Sequence, residues 1–188
     1  MLPAVLKVLT IGERPAVSSF RETTDQIQTD YAGDEDRPLR GYTAAMATYA
    51  TFAAGVAAAA RWRRRDLPEH PAASDVALIA VATHKLSRVL TKDAVTSPLR
   101  APFTRYVEPS GDGEVSEEVR GGHGVRHTAG ELLTCPFCLA MWTAGGFTAG
   151  LVFVPRFTRY AAATLTAVAA SDFLQLAYDA AKKGSAKV

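Results

Sequence analysis

The residues best suited to chemistry are Cys135 and Cys138, the only thiols of the chain, set three positions apart in Thr134-Cys135-Pro136-Phe137-Cys138. Cys-x-x-Cys spacing suits a reversible disulfide or half of a tetrahedral metal site. Pro136 cannot donate a backbone hydrogen bond, so it fits the first turn of a helix and places Cys135 near the N-cap. There the free N–H groups and the positive end of the helix dipole favour a thiolate. Thioredoxin-like enzymes wrap such a motif in a βαβ pattern, and no strand pattern is legible around it. His123 and His127 lie just upstream, and two His with two Cys would suit zinc. Against zinc, Gly121-Gly122-His123-Gly124 is a flexible stretch, and the connection to Cys135 must bend back through a helical turn. Three readings stay open for the pair: packed thiols or a static disulfide fixing the helix entry, a redox pair, and a zinc site.

A second set is cationic. Lys85, Arg88, Lys92 and Arg100, with Arg105 beyond them, could gather at a membrane face and bind a lipid headgroup or an acidic partner segment. The plainer alternative is solvated interfacial charge that anchors helices. Gly146 and Gly150 form a Gly-x-x-x-Gly pair that would let a neighbouring helix approach closely, although such pairs are frequent in Ala/Gly-rich helices. No Ser/His/Asp set, phosphate loop or paired intramembrane carboxylates point to catalysis. A lone acid, Asp172, is too little for an ion path.

The elements that must position these residues follow from uneven composition. Of 188 residues 48% are hydrophobic and mean hydropathy is near zero. That average mixes polar segments, 1–40 and 91–131, with segments rich in Ala, Leu, Val and Phe. The net charge of +2 does not point to a nucleic-acid binder, which usually shows a strongly basic face, although the charge is locally uneven. Leu2–Ile11 is interrupted by Pro3 and Lys7 and no small-residue cleavage site follows, so it is not a convincing signal peptide; Met1–Ile11 reads as a short amphipathic helix with Leu2, Val5, Leu6 and Leu9 on one side. Gly12–Arg40 reads as a polar tail with a turn or two of helix around Val17–Gln28. Gly41–Ala60 carries no charge, is long enough to cross a hydrocarbon core, and closes on Arg61-Trp62-Arg63-Arg64-Arg65, as a membrane interface favours. Ser74 offers an N-cap to an amphipathic helix over Asp75–Lys92. Ser97-Pro98 starts a short helix. Glu108–Gly124 reads as a mobile loop, and Thr128 to Glu131 matches a capping box that starts a helix near Ala129. Phe137–Val154 is the second uncharged span. Arg159–Lys183 is the last helix, in which Asp172 must face the bundle or the surface.

Three stretches taken in order, Ala82–Asp93 (ATHKLSRVLTKD), Ser97–Phe103 (SPLRAPF) and Gly130–Leu139 (GELLTCPFCL) with Trp142, resemble a bacterial integral membrane protein family of unknown function. Some of its members are associated with sporulation. The resemblance runs from about Ser74 to the final helix. It implies a multi-helix membrane protein in which Arg88, Lys92, Asp93, Arg100, Cys135 and Cys138 belong to the family pattern, and it implies no activity. His123 and His127 lie outside the pattern, which weakens zinc.

The expectation is therefore an all-α membrane bundle of about four helices. It comprises a tail over 1–40, a helical membrane domain over 41–183 with an extramembrane loop over 93–131, and a disordered end over 184–188. The helices pair as two hairpins, Gly41–Lys92 and Ala129–Lys183. The basic turns Arg61–Arg65 and Arg156–Arg159 would lie in the cytoplasm, with the central loop outside; a helix Asp75–Lys92 lying on the surface would instead put that loop in the cytoplasm. The function expected is a non-enzymatic anchoring or assembly component, multi-pass in the bacterial cytoplasmic membrane. Its partners would be lipids and either other envelope proteins or copies of itself, with no nucleic acid and no cofactor. The alternative is a membrane thiol–disulfide or metal-binding protein using the Cys pair, zinc being the metal it would suit.

Overall fold

The computed structural model describes residues 15–32, 37–65, 67–121 and 124–185. The expected helix over Leu2–Ile11, His123, and the last three residues of the chain lie outside them. In chain order the elements are α1 (Pro15–Ala32), α2 (Leu39–Trp62), α3 (Ala73–Thr91), a 3₁₀ turn (Ala94–Thr96), α4 (Ser97–Arg100), β1 (Thr104–Gly111), β2 (Glu114–Val119), α5 (Val125–Thr134), α6 (Pro136–Phe153) and α7 (Pro155–Ser185).

The fold is mostly helical, with one small sheet that corrects the all-α expectation. Where a mobile loop was expected, β1 and β2 pair antiparallel, and Gly111 faces Glu114 across a two-residue Asp112-Gly113 turn. Asp-Gly is a strong hairpin signal because glycine accepts a positive φ without a Cβ clash, and Gly113 has φ 80. Two register shifts in β1 flank Glu108 and Pro109; Pro is tolerated there because β1 is an edge strand. The other edge of β2 is tied to the end of α3 by Val115 N–H donating to the Lys92 carbonyl, 2.9 Å.

Several helix boundaries differ from those read in the sequence. α3 starts at Ala73, capped by Ala72, with no side-chain cap from Ser74. α5 starts at Val125 behind Gly124, whose φ is 82. Thr128 is therefore already inside the helix and returns its hydroxyl to the Gly124 carbonyl at 3.3 Å, so the capping box is not used. α1 is longer than the expected turn or two, and α7 runs to Ser185.

The long helices share one pattern of direction. Tyr42 donates to Glu131 at 3.0 Å, one turn before α6. Tyr49 meets Trp142 edge-on at 5.2 Å, and the Arg63 guanidinium lies 5.8 Å over the Phe153 ring. Positions rise together, so α2 and α6 are parallel. The same holds for α3 and α7. Arg159 pairs with Asp75 at 2.7 Å, Thr166 donates to the Leu78 carbonyl at 3.2 Å, and Lys85 pairs with Asp172 at 2.8 Å. α3 packs on α6 and α7 rather than on α2, so the expected Gly41–Lys92 hairpin does not pack as a pair. Its buried stripe is made of small hydroxyl residues, Thr83, Ser87 and Thr91, one turn apart, which lets backbones come close.

Glycines mark the close approaches. Gly150 accommodates Thr158 of α7, Gly145 the rings of Tyr49 and Phe52, and Gly41 the Thr128 side chain, whereas Gly146 faces open space. The expected Gly146/Gly150 pair is therefore split, with only Gly150 in a helix contact. A Cβ at Gly130 would lie 2.6 Å from Val119 Cγ1 and 3.1 Å from the Phe103 carbonyl. Gly130→Val should accordingly cost about 1–3 kcal/mol through overpacking and raise hydrogen exchange across β2. Gly146→Val should leave that exchange unchanged, and equal protection loss in both variants would contradict this packing.

Candidate functional site

The chemistry-bearing residues gather at one end of the bundle, in a polar cap built from the end of α3, the 3₁₀ turn, α4, the hairpin and α5. At its centre is Arg100, completely buried. Its Nε and Nη2 donate to the two carboxylate oxygens of Glu117 at 2.8 and 3.0 Å. Nη1 donates to the Leu90 carbonyl and Thr96 Oγ1, and Nη2 also to the Asp93 carbonyl and Ser97 Oγ. Glu117 further accepts from Ser97 and Thr104. A buried charge is tolerated only when paired and fully hydrogen-bonded, and this fork-to-carboxylate geometry meets both conditions. Burial alone would raise the Glu117 pKa; the bonds donated by Arg100, Thr104 and Ser97 outweigh it and hold it below the usual 4.5.

Arg100 is therefore no headgroup ligand, a correction to the cationic set read in the sequence: its donors are consumed inside the cap. Arg88 is bidentate to Glu114 of the hairpin, with Nη2 at 2.6 Å from both oxygens. Lys85 is held by Asp172. Of the four cations, only Lys92 has no acidic partner among the described residues. Lys85, Arg88, Asp172 and Glu114 instead line a cleft of about 550 Å³ between α3, α7 and the hairpin turn.

The cysteine pair sits where α5 meets α6. Cys135 closes α5 and caps α6, with φ −108 and ψ 106, and Pro136 occupies the first turn as its missing N–H requires. The Cys138 N–H donates to Cys135 Sγ at 3.2 Å, and the two sulfurs are 2.6 Å apart. Both thiols are free; Cys138 is exposed and Cys135 half-buried. His127 lies beside Glu131 at 3.6 Å, which Tyr42 also holds. Among the described residues no three His, Cys, Asp or Glu side chains gather as metal ligands, so His127 and the cysteines are not assembled into one centre.

The family described as "Protein of unknown function (DUF1360)" matches residues 78–178, from the first turns of α3 through the cap and the cysteine pair into α7. This chain belongs to that family. A relative, "Sporulation protein YjcA" of Bacillus subtilis (strain 168), is 38% identical over 72 residues. That alignment covers 37% of this chain and 61% of the relative, so the chain spans about three fifths of the relative's length. No solved structure matches the chain.

Sequence reading missed Glu117, Thr104, Thr96 and Ser97 as partners of Arg100. The available signal was Asp112-Gly113 between two runs that place Val115, Glu117 and Val119 on one strand face. Removing one partner of such a buried pair strands the other charge. Arg100→Leu should destabilise the cap by about 3–5 kcal/mol, whereas Arg105→Leu, at an exposed pair with Glu118, should cost less than about 1 kcal/mol. Because the folded Glu117 pKa is depressed, its contribution is complete above the unfolded value. It should be lost as pH falls below about 4.5 through the folded value. Denaturant midpoints measured against pH for the wild type and Glu117→Gln check this; parallel curves below neutral pH would contradict it.

Proposed function

We propose that the protein is a non-enzymatic, four-pass component of the bacterial cytoplasmic membrane that carries a folded polar cap for assembly at the envelope. The observation that carries this reading is the state of α2 and α6. They are the two helices long and apolar enough to cross a membrane, and only 6% of each apolar window is buried. The core helix of a soluble protein would be mostly covered. Here Met46 and Phe52 on α2 and Phe137 and Met141 on α6 are exposed, as they would be against lipid.

The parallel direction of these helices supports a four-pass course. If both cross from the cap to the basic end, α3 must cross back between them and α7 must cross last. Neither is uniformly apolar, but each supplies the counter-charges of the other: Asp75 with Arg159 at the basic end, Lys85 with Asp172 near the cap. Each pair keeps one partner mostly covered and the other about half exposed, and pairing lowers the cost of ionisable residues in helices that cross a membrane. Arg61–Arg65, Arg156 and Arg159 flank the tight turns, and the positive-inside bias supports that end in the cytoplasm and the cap outside.

The partners proposed are lipids around α2 and α6, and envelope proteins or further copies of this chain at the cap. The name of the relative suggests sporulation as a setting, and that setting comes to this chain only as part of the proposal.

Two measurements test the placement. The chain should stay in the pellet when isolated membranes are washed at high pH; release would remove the reading. Ala50 is exposed at the middle of α2. Ala50→Arg should cost about 2.5–3.5 kcal/mol of insertion free energy at a bilayer centre and sharply reduce membrane recovery. An exposed position in water would tolerate the same change with no loss.

A further inference from the structure

The cysteine pair is left over by an anchoring role, and its geometry is more specific than packing requires. The two sulfurs already sit 2.6 Å apart, so a small side-chain adjustment brings them to the roughly 2.05 Å of a disulfide bond. They are the only thiols of the chain, so each has one intramolecular partner. Among the described residues no third metal ligand joins them. Cys138 is exposed, so a small molecule can reach the pair.

The two sulfurs are not equivalent. Cys135 Sγ accepts the Cys138 backbone N–H. It lies at the N-terminal end of an 18-residue helix. Cys135 is also the single residue joining the cap helix α5 to the apolar helix α6.

We propose that Cys135 and Cys138 form a reversible dithiol–disulfide site that exchanges with a low-molecular-weight thiol–disulfide couple on the outer face of the membrane. The outward placement rests on the four-pass reading above; the exchange chemistry rests on the local geometry. An oxidising compartment is where a disulfide persists. Cys135 thiolate attacks one sulfur of a small disulfide RSSR, forming a mixed disulfide and releasing RS⁻, which takes a proton from water. Cys138 then loses its proton to solvent and attacks Cys135 sulfur, expelling the second RS⁻. Two cysteine thiols and RSSR become one protein disulfide and two RSH. The reverse reaction uses two RSH. Oxidation pins the one-residue joint between cap and span.

The test uses the full chain in isolated membranes equilibrated with graded ratios of glutathione and glutathione disulfide. Samples are quenched in acid and alkylated with a maleimide large enough to shift the band on a gel. The expected result is a single step from two adducts to none as the buffer becomes oxidising, reversed by excess glutathione. With Cys138→Ser the reaction should stop at the first stage and leave a glutathione adduct on Cys135, read by mass. Two adducts at every ratio would overturn the proposal, as would disulfide-linked dimers in place of the unshifted monomer. A chain that titrates in the expected step but is released by the high-pH wash supports the exchange site and overturns only the membrane reading used to place it.

Discussion

Two helices that are both apolar along their length, and that run side by side in the same direction, constrain everything between them. The chain leaves α2 at Arg61–Arg65 and must reach Pro136 at the opposite end of the bundle before α6 begins. α3 makes that journey. It makes it with a stripe of Thr83, Ser87 and Thr91 buried against its neighbours, side chains short enough for close helix packing. The charges it carries are matched by α7, whose parallel course brings Asp172 level with Lys85 and Arg159 level with Asp75. These two ion pairs tie the less apolar helices α3 and α7 together along their length.

The cap solves a different problem. Between α3 and α5 the chain has few large apolar residues with which to build a core, and it uses a buried charge instead. Arg100 draws together the carbonyls of Leu90 and Asp93, the hydroxyls of Thr96 and Ser97, and the Glu117 carboxylate. It thereby fixes α4, the end of α3 and the hairpin in one arrangement. Arg88 adds a second clasp from α3 to the hairpin. α5 passes to α6 through Cys135, and Gly130 lets the hairpin lie against α5.

Much of this was legible in the sequence because apolar length and punctuation are strong signals. Gly41–Ala60 and Phe137–Val154 are uncharged over about the length a bilayer needs, and α2 and α6 follow them within two residues at each end. Pro136 fixed the start of α6, and with it Cys135 at the cap position. The hairpin was not legible as read. Its strands are rich in Glu and Arg, and periodicity assigns charge to solvent. That assignment fails for Glu117, whose charge is compensated by a residue 17 positions away. The Thr128–Glu131 box also misled, since Gly124 offered an earlier start. The Gly146/Gly150 spacing did not reveal that the contact with α2 falls on Gly145, because helix spacing alone does not say which face a neighbour occupies.

Two-sided labelling tests the central claim most directly. Both native cysteines are replaced by serine, and a single cysteine is placed either at Ser110 in the hairpin or at Arg64 in the basic turn; both positions are exposed. Four crossings with the cap outside require Ser110→Cys to react with a membrane-impermeant maleimide in intact cells and Arg64→Cys to react only after permeabilisation. Labelling of both positions from the same side would contradict the parallel crossing of α2 and α6 and the membrane account built on it.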